Sequence, residues 1–471
     1  ISKVERLLSK PEGIQAYTLN GQKTNITFNE LINGYTINKI TCKNGSSATY
    51  NKMTNEVSLS NIHIPDYCTM DFKHSIYSKL LADNRTIKTR TSFNTTFTET
   101  NTGTLYKATE SIASSPAKDV YYFAGNAKNN WVKFGGFYWR IIRTNHDGSV
   151  RMLYAGTSFD TTEGYIGTSA FNTEFNSPKY VGYMYGNSDT TLDEARTNTN
   201  NSTIKTYIDN WYSNNLSAYT KYLSKDAVYC NDRQLDNGQS WTYATSPTSQ
   251  IFYMTYTTRL NWNGDGANAQ PTYNCTNSKD AFSGSNAKAK LTYPISLMTA
   301  DEIVYAGGKA NNNAAAWYYL NSVGFSITDS IWWWLLSPMY WNGYGSLQWS
   351  VHGSDGQGRA AGRNVYDPCA IRPVISLKGD LVWKSGDGSS ASPYEVEELP
   401  PTLAETIKTH ATSHTNGVYN ENGYRYEGTD PSNYIYMTNK STNEKELWRI
   451  IGVFNDGANG EEVIRVRRHY E

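Results

Sequence analysis

The stretch IWWWLLSPMYWNGYGSLQWSVHGSDGQGRAAGRNVYDPCAIRP, Ile331 to Pro373, decides how this chain is read. Its apolar run, Ile331 to Leu336, falls far short of the roughly 20 residues that cross a bilayer and reads as a buried strand. Leu347, Trp349 and Val351 then alternate with Gln348, Ser350 and His352. On a strand that period of two sends one set inward and the other outward. Tyr340, Trp341, Asn342 and Tyr344 precede this strand, and Asn364 and Tyr366 precede the last one, AIRPVISL (Ala370 to Leu377). Tyr and Trp supply large contact area at small entropic cost, while Ser, Asn and Gln adapt their hydrogen bonds, which is the chemistry of a binding surface. The candidate ligand-binding set is therefore Trp332, Tyr340, Trp341, Asn342, Tyr344, Gln348, Ser350, His352, Asn364 and Tyr366. Trp334 and Trp349 are assigned to the core. Tyr340, Tyr344 and Tyr366, beside Gly and Asn in loops, are expected at the surface.

Upstream, WVKFGGFYWRIIRTNHDGSVRMLYAG (Trp131 to Gly156) reads as strands joined at the turn Asn145-His146-Asp147-Gly148. Ser202 to Leu223 has helical spacing of Ile204, Ile208, Trp211, Tyr219 and Leu223, with Asn201 or Ser202 placed to cap it. A short helix is expected from Thr299, with Asp301 and Glu302 in its first turn and Gly307-Gly308 at its end. Further upstream, Ile37 to Phe72 alternates apolar and polar residues around Asn44-Gly45, the pattern of a small antiparallel sheet. The Thr-rich Thr91 to Thr104 reads as an extended linker, and so does Leu399-Pro400-Pro401-Thr402. Beyond the second linker an ordered set recurs. Gly125, Asn130-Trp131 and Trp139-Arg140-Ile141-Ile142 return as Gly428, Asn433-Tyr434 and Trp448-Arg449-Ile450-Ile451, each copy leading into an Asp-Gly turn. The expected architecture is α+β: a small β-rich domain over residues 1–95, a larger domain over 96–397, and a linker with the start of a second repeat over 398–471.

Composition narrows function. The 471 residues carry 43 Lys+Arg and 43 Asp+Glu, a balance that argues against a nucleic-acid binder, which needs a basic surface to neutralise phosphates. Charged residues are 18%, below the roughly 25% of soluble domains, whereas aromatics are 14% with 37 tyrosines. Such uncharged, aromatic polarity reads as extracellular. The opening ISKVERLLSK lacks an initiator Met and a signal peptide, so an export signal or anchor is expected outside this sequence. Of five cysteines, Cys42 and Cys68 flank a strand–turn–strand pattern and Cys230 and Cys275 flank a Gly/Asn-rich loop region. Two disulfides with Cys369 left over is the preferred arithmetic, with connectivity open; five reduced thiols is the alternative. No Cys/His spacing suits zinc, no loop completes a calcium site, and no GxSxG elbow or P-loop occurs. His410 and His414 fall in a linker-like Thr/Ser stretch. No metal, cofactor or catalytic residue is assigned.

Trp334 to Pro338 (W-x-L-S-P), Asn342-Gly343, Asp355-Gly356 and Ile371-Arg372-Pro373-Val374-Ile375 together resemble the closing half of C-type-lectin-like domains, of the kind found in large surface proteins of gut Firmicutes. FGGFYWRIIRTNHDGSVRMLYAGTS (Phe134 to Ser158) and Ser202 to Arg233 resemble the opening half, and the Cys42 to Cys68 unit resembles modules preceding such domains. The fold is shared by formylglycine-generating enzymes and by variable proteins of diversity-generating retroelements. In the latter, hypervariable positions cluster in the segment corresponding to Tyr340 to Tyr366, so the resemblance implies ligand display on a rigid scaffold. The Glu-Pro-Asn or Gln-Pro-Asp calcium motif of sugar-binding lectins is absent, as are the paired cysteines of the formylglycine-generating enzymes. The expectation is a secreted or surface-displayed adhesin, not an enzyme, recognising a protein or glycan on another surface. The alternative is a structural repeat subunit of an extracellular filament or surface layer, with self-assembly.

Overall fold

The computed structural model describes residues 13–19, 26–27, 35–51, 56–61, 66–113, 115–161, 164–241, 249–311, 318, 332–352, 358–412, 417–420, 422–428, 431–439, 441–442, 444–457 and 462–469. It is β-rich with few helices and divides into two compact units, Ile1–Glu397 and Glu398–Glu471.

The N-terminal part of the first unit holds two antiparallel three-stranded sheets. Asp66–His74 lies between Gly13–Leu19 and Tyr35–Cys42, and Glu56–Ser60 between Ile26–Thr27 and Ser47–Asn51. Asn44-Gly45, with Gly45 at φ 94°, turns the chain from one sheet to the other. Cys42 is disulfide-bonded, and its register partner across the strands is Cys68, whose side chain lies outside the described residues.

Residue 95 is not a structural boundary. The helix Ile76–Asp83 is tied by backbone bonds from Ile76 to Leu381 O and from Tyr77 to Gly379 O, and Thr86–Thr89 pairs parallel with Thr104–Glu110. Nor is Thr91 to Thr104 a linker. Phe93 and Phe97 pack on the buried Tyr106–Tyr122–Tyr305 cluster, and Thr100–Asn101 pairs with Asn126–Ala127. Two aromatic residues in a Thr-rich run hold it down where composition suggested free chain.

The first large sheet runs Ile295–Leu297, Pro373–Leu377, Val150–Gly156, Phe137–Thr144, Lys118–Tyr122, Thr104–Glu110, Thr86–Thr89, with Trp131–Phe134 also paired to Phe137–Thr144. Its interior strand Val150–Gly156 is buried throughout, so its alternation is between two covered faces. The helix Thr203–Asn215 is capped by Ser202, whose hydroxyl accepts from Lys205 N, and buries Ile204, Ile208 and Tyr212. The expected length to Leu223 is reached by a 3-10 turn, Ser217–Tyr222. The helix Ala300–Tyr305 begins with a complete capping box between Thr299 and Glu302.

The second large sheet runs Thr168–Ser169, Cys369–Ala370, Trp332–Trp341, Ser346–His352, Ala360–Asn364, with Ile251–Phe252 added beside Tyr340 and Trp341. Immediately after Cys369–Ala370 the chain crosses to the first sheet as Pro373–Leu377. Arg372 fixes the crossing: its guanidinium donates twice to Tyr154 O, at 3.0 and 3.2 Å, and lies 5.1 Å from the Trp333 ring.

The recurring Asn–aromatic and Trp-Arg-Ile-Ile motif builds one device in each unit. Asn130 exchanges bonds with the Ile141 backbone, Nδ2 to O at 2.9 Å and Ile141 N to Asn130 O at 2.7 Å. Arg140 Nε donates to Asn130 Oδ1 at 2.7 Å, and its guanidinium sits 4.1 Å from the Trp131 ring. Asn433 repeats both backbone bonds with Ile450 at 2.6 and 2.8 Å; Arg449 Nε reaches Asn433 Oδ1 at 3.2 Å and lies 4.9 Å from Tyr434. The register irregularity after Ile141 recurs after Ile450. The strand order also matches: Val418–Asn420, Tyr424–Tyr426 and Lys445–Phe454, the last flanked by Tyr434–Thr438 and Val463–Arg468. Before these strands, Leu403–Thr412 is a helix where a linker-like stretch was expected. Thr402 and Glu405 form its capping box, a T-x-x-E signature, and His410 lies on it; His414 lies outside the described residues.

Candidate ligand-recognition site

The hairpin of Trp332–Trp341 and Ser346–His352 carries most of the candidate residues, and it separates them. Its turn is closed by Asn342, whose Oδ1 accepts from Tyr344 N at 2.8 Å and Gly345 N at 2.9 Å, while Gly343 takes φ 96°. Tyr344 is thereby held outward, 68% exposed. Tyr366, 47% exposed, follows Ala360–Asn364 in a turn in which Asp367 N donates to Asn364 O. Its ring packs 4.9 Å from Phe175, itself 42% exposed. Phe175 is held at this end of the sheet because its carbonyl accepts from Ser346 N, and Ser177 O accepts from Ser346 Oγ at 2.6 Å. Phe175, Tyr344, Tyr366, Asn342 and Asn364 thus surround one turn.

The other candidates lie elsewhere. Tyr340 is half-buried in a run of stacked rings, 5.9 Å from Phe252 and 5.1 Å from Tyr256, and burial raises its phenol pKa. Trp332 stacks on His352 at 4.2 Å with Arg363 5.0 Å from the indole, at the far end of the hairpin. Along the seven-residue strand Ser346–His352 that is about 20 Å from the turn. Trp341, Gln348 and Ser350 are buried, against their place in the candidate set, and Gln348 and Ser350 correct the expected outward row. The alternation rule presumes one wet face, but this strand sits inside a sheet covered on both sides. Gln348 Nε2 donates to Leu335 O and Leu336 O at 3.2 and 2.7 Å, and Ser350 Oγ to Ala361 O at 2.9 Å. Leu335 and Leu336 lie where Trp332–Trp341 bulges between its pairs at Trp334 and Pro338, so the Gln348 amide serves carbonyls that the ladder misses. Asp355-Gly356 lies outside the described residues.

Phe175, Phe252 and Tyr256 escaped sequence reading because their neighbours in the fold are distant in the chain. A single aromatic in a polar loop, as in Thr173–Asn176, was the available signal for Phe175.

A buried ion network anchors the scaffold. Arg143 reaches Glu110 at 2.8 Å and Glu302 at 2.9 Å, and Arg151 reaches Glu302 at 2.5 Å and also donates to Val228 O. Burial pushes the Glu302 carboxyl up, but Arg151 and Arg143 outweigh it and hold the pKa below the usual range. The Cys230–Cys275 disulfide lies beside this network, whereas Cys369 is a buried free thiol that burial pushes up to about 12. So high a pKa leaves essentially no thiolate at neutral pH.

No family model, curated protein or solved structure matches this chain. Its candidate site therefore rests on geometry: three exposed aromatic rings from three loops gathered around one hydrogen-bonded turn. Among the described residues no cluster of three or more His, Cys, Asp or Glu is placed to hold a metal, and no helix is long and apolar enough to cross a membrane.

Proposed function

We propose that the chain is an extracellular recognition protein, an adhesin in which a C-type-lectin-like domain presents Phe175, Tyr344 and Tyr366 to a ligand on another surface. The observation that carries this reading is the exposure of three large rings gathered around one hairpin turn whose backbone is fixed by hydrogen bonds. Exposed aromatic surface on a rigid support is disfavoured for a solitary domain and suits a contact surface. The lectin-like assignment is supported by topology: Pro373–Leu377 closes onto Val150–Gly156 from the opening half, while the intervening chain forms a second sheet ending in this turn. The Cys230–Cys275 bridge favours an oxidising compartment. The reading assigns no catalytic step to the chain.

The test is to measure binding of the labelled chain to panels of intact bacterial and epithelial cells, comparing Phe175→Ala/Tyr344→Ala/Tyr366→Ala with wild type. Binding should fall at least about tenfold, roughly 1.4 kcal/mol, while stability moves by about 0.5 kcal/mol per surface substitution. Equal binding by the triple variant would overturn the reading. The second reading, a structural repeat subunit, is favoured by the duplicated Asn–Trp-Arg-Ile-Ile device; ordered polymers in electron micrographs of native material would decide for it.

A further inference from the structure

A cleft of about 460 Å³ lies beside the start of the helix Thr203–Asn215, lined by Asn172, Thr173, Glu174, Tyr185, Thr206, Tyr207 and neighbours. Its size lies within the range of small-molecule sites. Phe175 immediately follows the cleft's Glu174, and Asn172 N donates to Val365 O, one residue before Tyr366. The cleft therefore borders the aromatic turn.

Its walls are pre-formed. Ile204 N donates to Phe171 O, Thr173 N donates to Thr203 Oγ1 at 3.0 Å, and Thr203 Oγ1 donates to Asn172 Oδ1 at 3.4 Å. Tyr207 stands over Gly167, where a Cβ would come within 2.1 Å of its hydroxyl. A ligand would not need to order this loop first.

The chemistry of the lining selects a ligand class. Glu174 is its one charged side chain, and no cation lines it, so phosphate, carboxylate and sulfate groups find no counter-charge. The helix N-terminus offers them little either, because the N–H groups of Ile204, Lys205 and Thr206 are already bonded to Phe171 O, Ser202 Oγ and Ser202 O. Apart from Glu174, what the cleft presents is uncharged: Asn amides, and Ser, Thr and Tyr hydroxyls, of which Ser202, Thr203, Thr206 and Tyr207 already donate to Tyr183 O, Asn172 Oδ1, Ser202 O and Ile166 O and so face a ligand chiefly as acceptors. The Tyr185 and Tyr207 rings add an apolar body with a polar tip. We propose that this cleft binds a neutral, hydroxyl-rich ligand of mono- or disaccharide size, with Glu174 accepting from hydroxyl groups. This rests on the recognition reading above and names a subsite of it. A shallow polar cleft of this kind is expected to bind one sugar in the millimolar range, with wider contacts at the aromatic turn adding affinity for a whole surface.

The experiment titrates the full chain, observed by ¹H–¹⁵N NMR, with the methyl glycosides of glucose, galactose, mannose, fucose and N-acetylglucosamine and with their common disaccharides. Inorganic phosphate and sialic acid serve as anionic probes. Saturable shifts confined to residues 169–174, 185 and 201–210 with at least one neutral sugar are expected. They should weaken at least tenfold in Thr206→Val/Asn210→Ala, two solvent-facing changes, while the melting temperature stays unchanged. Absence of saturable shifts with every neutral sugar overturns the proposal, as does preferential binding of the anions or undiminished binding by the double variant. Because whole-cell binding is measured separately through Phe175, Tyr344 and Tyr366, loss of the saccharide subsite would leave the recognition reading standing.

Discussion

At the scale of single residues, the interior of the first unit is governed by how carboxylates and guanidiniums are matched. Glu302 serves two arginines and remains ionised; its neighbour Asp301 does not fare as well. Burial raises the Asp301 carboxyl from 3.8 to about 6, and Arg259, 3.8 Å away, together with the Thr272 N–H offsets only part of that. Arg259 is engaged more closely by Asp232 at 2.6 Å. Because the folded pKa lies above the unfolded one, protonating Asp301 stabilises the fold. That contribution is complete below about pH 4 and is lost as pH rises through about 6. Asp301→Asn keeps an acceptor for Thr272 and fixes the neutral state. Denaturant titrations across about pH 4 to 7.5 should therefore show wild type losing stability relative to the variant as pH rises. Parallel curves for the two proteins would show that Asp301 does not titrate in this window.

At the scale of elements, the paired strands Trp332–Trp341 and Ser346–His352 show what patterning can and cannot reveal. The turn at Asn342-Gly343 and the outward Tyr344 and Tyr366 were legible because turn chemistry and glycine placement are local properties, whereas Tyr340, expected exposed in a loop, lies half-buried in a strand that runs on to Trp341. The helix caps at Ser202 and Thr299 were legible for the same reason. The side chains of Gln348 and Ser350 were not, since alternation reports two faces but not whether both are covered. The bulge at Leu335 and Leu336 was equally hidden, because it exists only relative to a partner strand. Gln348 therefore has a structural role that its polarity disguised. Leu336 O has a second donor in Asn231 Nδ2 at 2.8 Å, so Gln348→Leu mainly leaves Leu335 O without a partner. An orphaned buried carbonyl costs about 1–3 kcal/mol, and chemical denaturation should show a loss of that order. A change below about 0.5 kcal/mol would mean that the Gln348 amide does not stabilise the bulge.

At the scale of the whole molecule, the duplicated device is the feature that ties sequence to architecture. Asn130 and Asn433 are buried, and each replaces strand-to-strand pairing by bonding the backbone of the isoleucine in Trp-Arg-Ile-Ile while orienting the preceding arginine beside an aromatic ring. The repeat was visible because all three functions fall on residue types that are hard to substitute. The extent of the sheets around it was not, because strand partners such as Pro373–Leu377 lie more than 200 residues away from Val150–Gly156. Each unit has its own core, with Ala404, Ile407, Val418, Ile450 and Val453 buried together in the second. Asn130→Ala should therefore lower the thermal transition of the first unit and Asn433→Ala that of the second. Each change strands the isoleucine carbonyl and removes an acceptor from Arg140 or Arg449, a loss of about 2–3 kcal/mol within its own unit. Differential scanning calorimetry of the two variants separates the cases. A shift of the same transition by both substitutions would mean that the two copies of the device support one cooperative fold.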